Sequence, residues 1–85
     1  MNVSIKYFTA PWCGPCRMFG PTIDKFVAET GTPVQKIDVD NNRELASQYS
    51  VSGVPTLIFE KEGQVIFRHT GVMSYNQLVT TAERL

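Results

Sequence analysis

Cysteine is scarce in this chain: two residues in a length of 85. That number rules out a multi-bridge secreted scaffold. Histidine is scarcer still. The single His69 has no metal-ligand spacing around it, so a four-ligand zinc site lacks its donors, and His69 reads as a strand residue on a polar face. Excess charge of either sign is also missing. Lys+Arg and Asp+Glu balance at 8 each, so no overall field draws the protein to nucleic acid or to a membrane surface, and partners must be selected by local shape. No apolar run approaches the length of a membrane span. The opening segment, Met1 to Lys6, has no basic stretch leading into an apolar one. The expected location is therefore cytoplasmic, where a cysteine pair is more often catalytic than structural. Repeats, low-complexity tracts and linkers are absent, and the length suits one domain, residues 1–85, around one core.

What is present concentrates on Trp12-Cys13-Gly14-Pro15-Cys16. Both cysteines fall just after an apolar run, Val3 to Phe8, and just before a helical pattern. Two intervening residues let the second thiol reach the first across about one turn of helix. The first then sits at the helix mouth, facing unpaired backbone N–H groups. The positive end of the helix dipole favours a thiolate there. Gly14 leaves room for a close-approaching partner, Pro15 suits the first helical position, and Arg17 adds a cation. Trp12 offers a flat apolar wall beside the sulfur. The competing readings are a structural disulfide, which would close a very short loop for little entropic gain, and a metal site.

Along the chain, Val3, Ile5 and Tyr7 alternate with Ser4 and Lys6 as in a strand with one better-covered face. Thr9-Ala10-Pro11 delivers Trp12. A helix is expected from Pro15 to about Glu29, with Phe19, Ile23, Phe26 and Val27 on its core face and Gly31 as its stop. Pro21 lies inside it, which implies a kink, or else a helix that starts only at Pro21. A strand over Val34–Val39 follows. Asn41 and Glu44 then suggest a capping box for a short helix to about Tyr49, with Leu45, Ala46 and Tyr49 as its apolar side. The two helices between strands indicate parallel pairing by right-handed crossovers. Thr56-Leu57-Ile58-Phe59 suits a strand buried on both faces, Glu60 to Gly63 a hairpin turn, and Val65 to His69 the antiparallel return. Ser74 and Gln77 cap a last helix with Leu78, Val79, Ala82 and Leu85 inward. The expected class is α/β: β-α-β-α-β-β-α, a four-stranded mixed sheet with helices on both faces and the cysteine loop at the carboxyl end of the first strand.

The run Trp12-Cys13-Gly14-Pro15-Cys16-Arg17-Met18 with Pro21, then Val54-Pro55-Thr56, Gly63 and Gly71, resembles the thioredoxin family from end to end. The resemblance implies a thiol–disulfide oxidoreductase with Cys13 as attacking thiolate and Cys16 as resolving thiol. It needs no cofactor beyond the redox-active Cys13–Cys16 disulfide. Pro55 would be cis. Trp12, Val54, Pro55, Thr70, Gly71 and Val72 would form a shallow apolar groove for an extended substrate strand. Lys36 matches a lysine that in the family lies beneath the cysteines. Implied partners are disulfide-bearing substrate proteins and a thioredoxin-reductase-type electron donor, with the chain a monomer that binds neither nucleic acid nor membrane.

Against the family pattern, Met1 stands close to the active-site strand. The expectation is a minimal version without the usual first strand and helix, its Val34–Val39 strand at the sheet edge and Ser4 and Lys6 partly solvated. The family's buried aspartate falls at Tyr7, which is no carboxylate base at neutral pH. Proton removal from Cys16 then passes to water or to the departing Cys13, and Tyr7 itself reads as a core aromatic with its hydroxyl satisfied. Two other functional readings stand beside the first. One is a glutaredoxin-like glutathione-dependent reductase, whose usual Cys-Pro-Tyr-Cys and Gly-Gly acidic segments are not matched here. The other is a binding subunit of the same fold with incidental redox activity, with Met73, expected exposed beside Gly71, as a candidate partner contact.

Overall fold

The computed structural model describes residues 2–85; Met1, the first residue of the expected domain, lies outside the described residues. The elements in order are β1 (Val3–Thr9), α1 (Gly14–Thr30), β2 (Val34–Asp38), α2 (Arg43–Gln48), β3 (Thr56–Lys61), β4 (Gln64–Thr70) and α3 (Tyr75–Arg84). They form a four-stranded mixed sheet of order β2-β1-β3-β4.

The alternation in β1 decides the layering. Val3, Ile5 and Tyr7 face a core shared with Phe19, Ile23 and Phe26 of α1 and Leu78 and Ala82 of α3. Phe8 faces the other way, onto Ile37, Ile58 and Ala46 of α2. Ser4 and Lys6, on that second face, are half-buried. Helix α1 runs through Pro21 without a break, so it does not wait for Pro21 to start. It ends at Gly31 (φ 70°), whose N–H returns to the Val27 carbonyl. Val27 itself is 37% exposed rather than in the core. One residue past Phe26 is about 100° around the helix, which carries Val27 off the buried stripe.

The second crossover does not give a parallel strand. β1 pairs with β2 in parallel, but β3 pairs with β1 antiparallel, Phe8 opposite Thr56. The reason is reach. Helix α2 has 6 residues, about 9 Å, whereas β2 with 5 residues spans about 16 Å. The chain therefore cannot return to the start of the sheet and enters β3 from the end at which it left β2. That places the start of β3 beside the carboxyl end of β1.

Three local expectations are also corrected. The cap of α2 is Asn42, not Asn41, and its side chain makes no capping bond. Asp38 takes both asparagine side chains instead, Asn41 through its carboxylate and Asn42 through its carbonyl, the competition expected of short polar side chains in loops. The β3–β4 turn is only Glu62-Gly63, both at positive φ (53° and 79°), so Glu60 and Lys61 belong to the strand. Met73 is 8% exposed: the segment after Gly71 folds inward and seats it in the main core. The Ser74–Gln77 capping box forms in both directions.

Candidate active site

The site is built where the carboxyl end of β1, the first turn of α1 and the start of β3 converge. Cys13 is the N-cap of α1 in extended conformation, and the Cys16 N–H donates to its Sγ at 3.2 Å. This is one of the four amide donors that a helix start leaves without an intrahelical partner, directed at the sulfur that would carry negative charge. Cys13 and Cys16 form a disulfide, Cα atoms 5.2 Å apart, and both residues are buried, together with Ala10. Gly14 and Pro15 are exposed. Helix α1 begins at Gly14, so Pro15 takes the second helical position rather than the first, where its missing N–H again costs no intrahelical bond.

Opposite the pair lies the Val54-Pro55 bond, which is cis. The Val54 carbonyl oxygen is 3.8 Å from Cys13 Sγ. Gly71 N–H donates to the Pro55 carbonyl at 2.8 Å, and the Thr56 and Thr70 hydroxyls lie 3.4 Å apart. These contacts bring the end of β4 against the start of β3, so Val54, Pro55, Thr70 and Gly71 lie together, with Val54 packed on the cysteine pair. Val72 is exposed next to them. A cavity of about 160 Å³ adjoins, lined by Trp12, Val39, Val51, Ser52, Gly53 and Val54.

Trp12 is 65% exposed, its indole N–H donating to Asp40 Oδ2 at 2.9 Å. Asp40 lies in the β2–α2 loop, 28 positions after Trp12, so no local pattern in the sequence links the two. The Arg17 guanidinium donates twice to the Pro11 carbonyl, at 3.2 and 3.0 Å, so this cation braces the loop that carries Trp12.

Beneath the pair stands Tyr7, buried, its hydroxyl donating to the Cys16 carbonyl at 3.3 Å and its ring edge-on to Phe19 at 5.7 Å. Lys36 is not beneath the cysteines. It lies on the edge strand β2, more than half exposed, with its ammonium 2.9 Å from Asp24 of α1. Asp24 is eight residues past Cys16, about 12 Å along the helix. Among the described residues no strand pairs with the outer edge of β2, and its long cation extends to the helix surface.

The Thioredoxin family model matches residues 2–84. Mitochondrial thioredoxin of Mus musculus is 39% identical over 80 residues, covering 92% of this chain and 48% of that one. Thioredoxin of Bacillus subtilis is 44% identical over 72 residues, covering 82% of this chain and 69% of that one. The chain thus spans about half the length of the mitochondrial relative. A mutant thioredoxin from Halobacterium salinarum NRC-1 superposes with a TM-score of 0.93 at 38% identity, covering 98% of this chain and 74% of that chain.

Proposed function

Since this chain belongs to the thioredoxin family, we propose that it reduces protein disulfides by dithiol exchange. The observation that carries the reading is the cysteine pair at the mouth of α1, with a backbone N–H aimed at Cys13 Sγ. The Cys13 thiolate attacks one sulfur of a substrate disulfide. A Cys13–substrate bond forms, the substrate S–S bond breaks, and the departing sulfur takes a proton. Cys16 then loses its proton and attacks Cys13 Sγ. The Cys13–Cys16 disulfide forms and the second substrate sulfur leaves, so two electrons have passed to the substrate. No cofactor enters these steps, and a dithiol donor of the thioredoxin-reductase type restores the pair.

The substrate approaches as an extended strand. Trp12 and Val72 supply exposed apolar surface, and Val54, Pro55, Thr70 and Gly71 supply the groove floor and backbone partners. Tyr7 presents to Cys16 a phenol hydroxyl bonded to its carbonyl rather than a carboxylate, so the Cys16 proton goes to solvent. Among the described residues, no helix is long and apolar enough to cross a membrane. We place the protein in the cytoplasm, as a monomer acting on disulfide-bearing proteins, because a reducing compartment keeps the pair in its dithiol form.

Turnover of a model protein disulfide with dithiothreitol as donor tests this. Wild type should turn over, Cys13→Ser should be inactive, and Cys16→Ser should stall as a mixed disulfide with the substrate. Undiminished turnover by Cys13→Ser, or none by folded wild type, would overturn the reading.

A further inference from the structure

Away from the cysteines, three strands send one polar side chain each to the carboxyl end of α2. Glu60 of β3 is 5% exposed, a burial that a carboxylate tolerates only when its oxygens are satisfied. One oxygen takes the Lys6 ammonium from β1. The other accepts the Tyr49 hydroxyl at 3.0 Å. The same ammonium lies over the Tyr49 ring, 5.3 Å from its centre, and Arg68 of β4 donates to the Tyr49 carbonyl. Tyr49 is therefore held at its hydroxyl, its ring and its backbone.

The residues that follow make the hold consequential. The chain turns at Ser50 (φ 55°), and Val51 N–H returns to the Ala46 carbonyl at 2.8 Å. Val51 to Val54 then line the cavity beside the disulfide. The far end of the segment is fixed where Thr56 Oγ1 donates to the Gly53 carbonyl at 2.6 Å. Helix α2 has 6 residues, too few to be stable without tertiary contacts; Ala46 and Tyr49 pack in the Phe8–Ile37–Ile58 cluster, the Tyr49 ring 5.9 Å from that of Phe8, and the polar contacts at Tyr49 add direction to that packing. We infer that Glu60, with Lys6 and Arg68, is a positioning residue for substrate recognition: by clamping Tyr49 it sets the groove wall from Val51 to Val54. An apolar pair at positions 6 and 60 would fill the same space. It would not dictate where the Tyr49 hydroxyl points, a direction that the buried carboxylate of Glu60 supplies.

The inference rests on the thiol–disulfide reading and predicts a split between two substrates. A small disulfide, 5,5′-dithiobis(2-nitrobenzoate), needs only the Cys13 thiolate, whereas a protein disulfide also needs the wall. Tyr49→Phe and the double variant Lys6→Leu/Glu60→Leu are compared with wild type, at a temperature where circular dichroism finds all three folded. The double variant replaces the ion pair by apolar volume, an exchange that is often neutral or favourable for stability. Both should raise KM for the protein substrate about fivefold with kcat unchanged. The rate with the small disulfide should also be unchanged. Glu60→Gln, which keeps an acceptor for the Tyr49 hydroxyl, should fall between them and wild type. Unchanged KM in both variants would overturn the clamp, as would an equal fall in the small-disulfide rate, which would place the defect at the thiols. Failure of wild type to reduce even the small disulfide would instead overturn the thiol reading, and this inference with it.

Discussion

Replacing Tyr7 by aspartate, the residue that the family resemblance sets at this position, should cost this protein most of its stability. Tyr7 is 2% exposed and packs among Val3, Ile5, Phe19 and Ile23. Removing so buried an aromatic side chain forfeits about 3–5 kcal/mol of transfer and cavity energy. The new carboxylate would face those same apolar side chains, adding about 1–3 kcal/mol or more for an unsatisfied polar group. For a domain of 85 residues the whole stability is about 4–13 kcal/mol. Tyr7→Phe differs only by the hydroxyl. Its bond to the Cys16 carbonyl is long, 3.3 Å, and that carbonyl also lies in helix α1, so the loss should be about 1 kcal/mol or less. Urea unfolding followed by far-ultraviolet circular dichroism separates the two. With a slope of about 1 kcal/mol per molar, the Phe variant should shift its midpoint by about 1 M or less, while the Asp variant should lower it by about 4 M or more. The sign of its pH response follows. An apolar site raises the folded-state pKa of the new carboxyl, so folding is favoured below the unfolded pKa and weakened as pH rises through and beyond it. Acid should therefore partly rescue Tyr7→Asp. An Asp variant within about 1 kcal/mol of wild type at neutral pH would refute the reasoning.

Three further outcomes are expected. Lys6 has a pKa raised above the ordinary lysine value, chiefly by its hydrogen bond to Glu60 and against the opposing effect of burial. Its contribution to stability should be intact below about pH 10.4 and lost as pH rises through the folded-state value, seen as an alkaline convergence of the unfolding midpoints of wild type and Lys6→Met. Gly31→Ala places a side chain at φ 70° where no atom lies within 4 Å, so only backbone strain is felt and thermal unfolding should show a loss of about 1 kcal/mol. Ser74→Ala removes the side-chain half of the α3 capping box and should cost about 1 kcal/mol in the same assay.

Much of the architecture is local and hence readable in one dimension. The alternation Val3-Ile5-Tyr7 gives a strand face, the spacing of Phe19, Ile23 and Phe26 a helix face, Gly31 a helix stop, and Ser74 with Gln77 a capping box. Each involves residues within a few positions of one another, and each is found in the structure. The Cys13–Cys16 pair at a helix start is local in the same sense. Other residues have roles decided by something distant. Glu60 sits in a run of charges that resembles a turn, yet it becomes buried because Lys6 lies across the sheet to neutralise it. Met73 is in a loop, but the loop folds onto the core.

The sequence by itself therefore determined the order of helices and strands, the placement of the cysteine pair at the mouth of a helix, and the residues able to carry thiol chemistry. These rest on periodicity, capping and spacing, which act over a few residues. Only the tertiary structure decided that β3 runs antiparallel to β1, that Val54 meets Cys13, that Asp40 holds Trp12, that Lys36 turns to Asp24, and that Tyr49 is clamped by three strands. Those outcomes depend on contacts between residues on different elements of the chain, 11 positions apart at Tyr49–Glu60 and 41 at Cys13–Val54, and their energies exist only once chain reach and sheet pairing have brought the partners together.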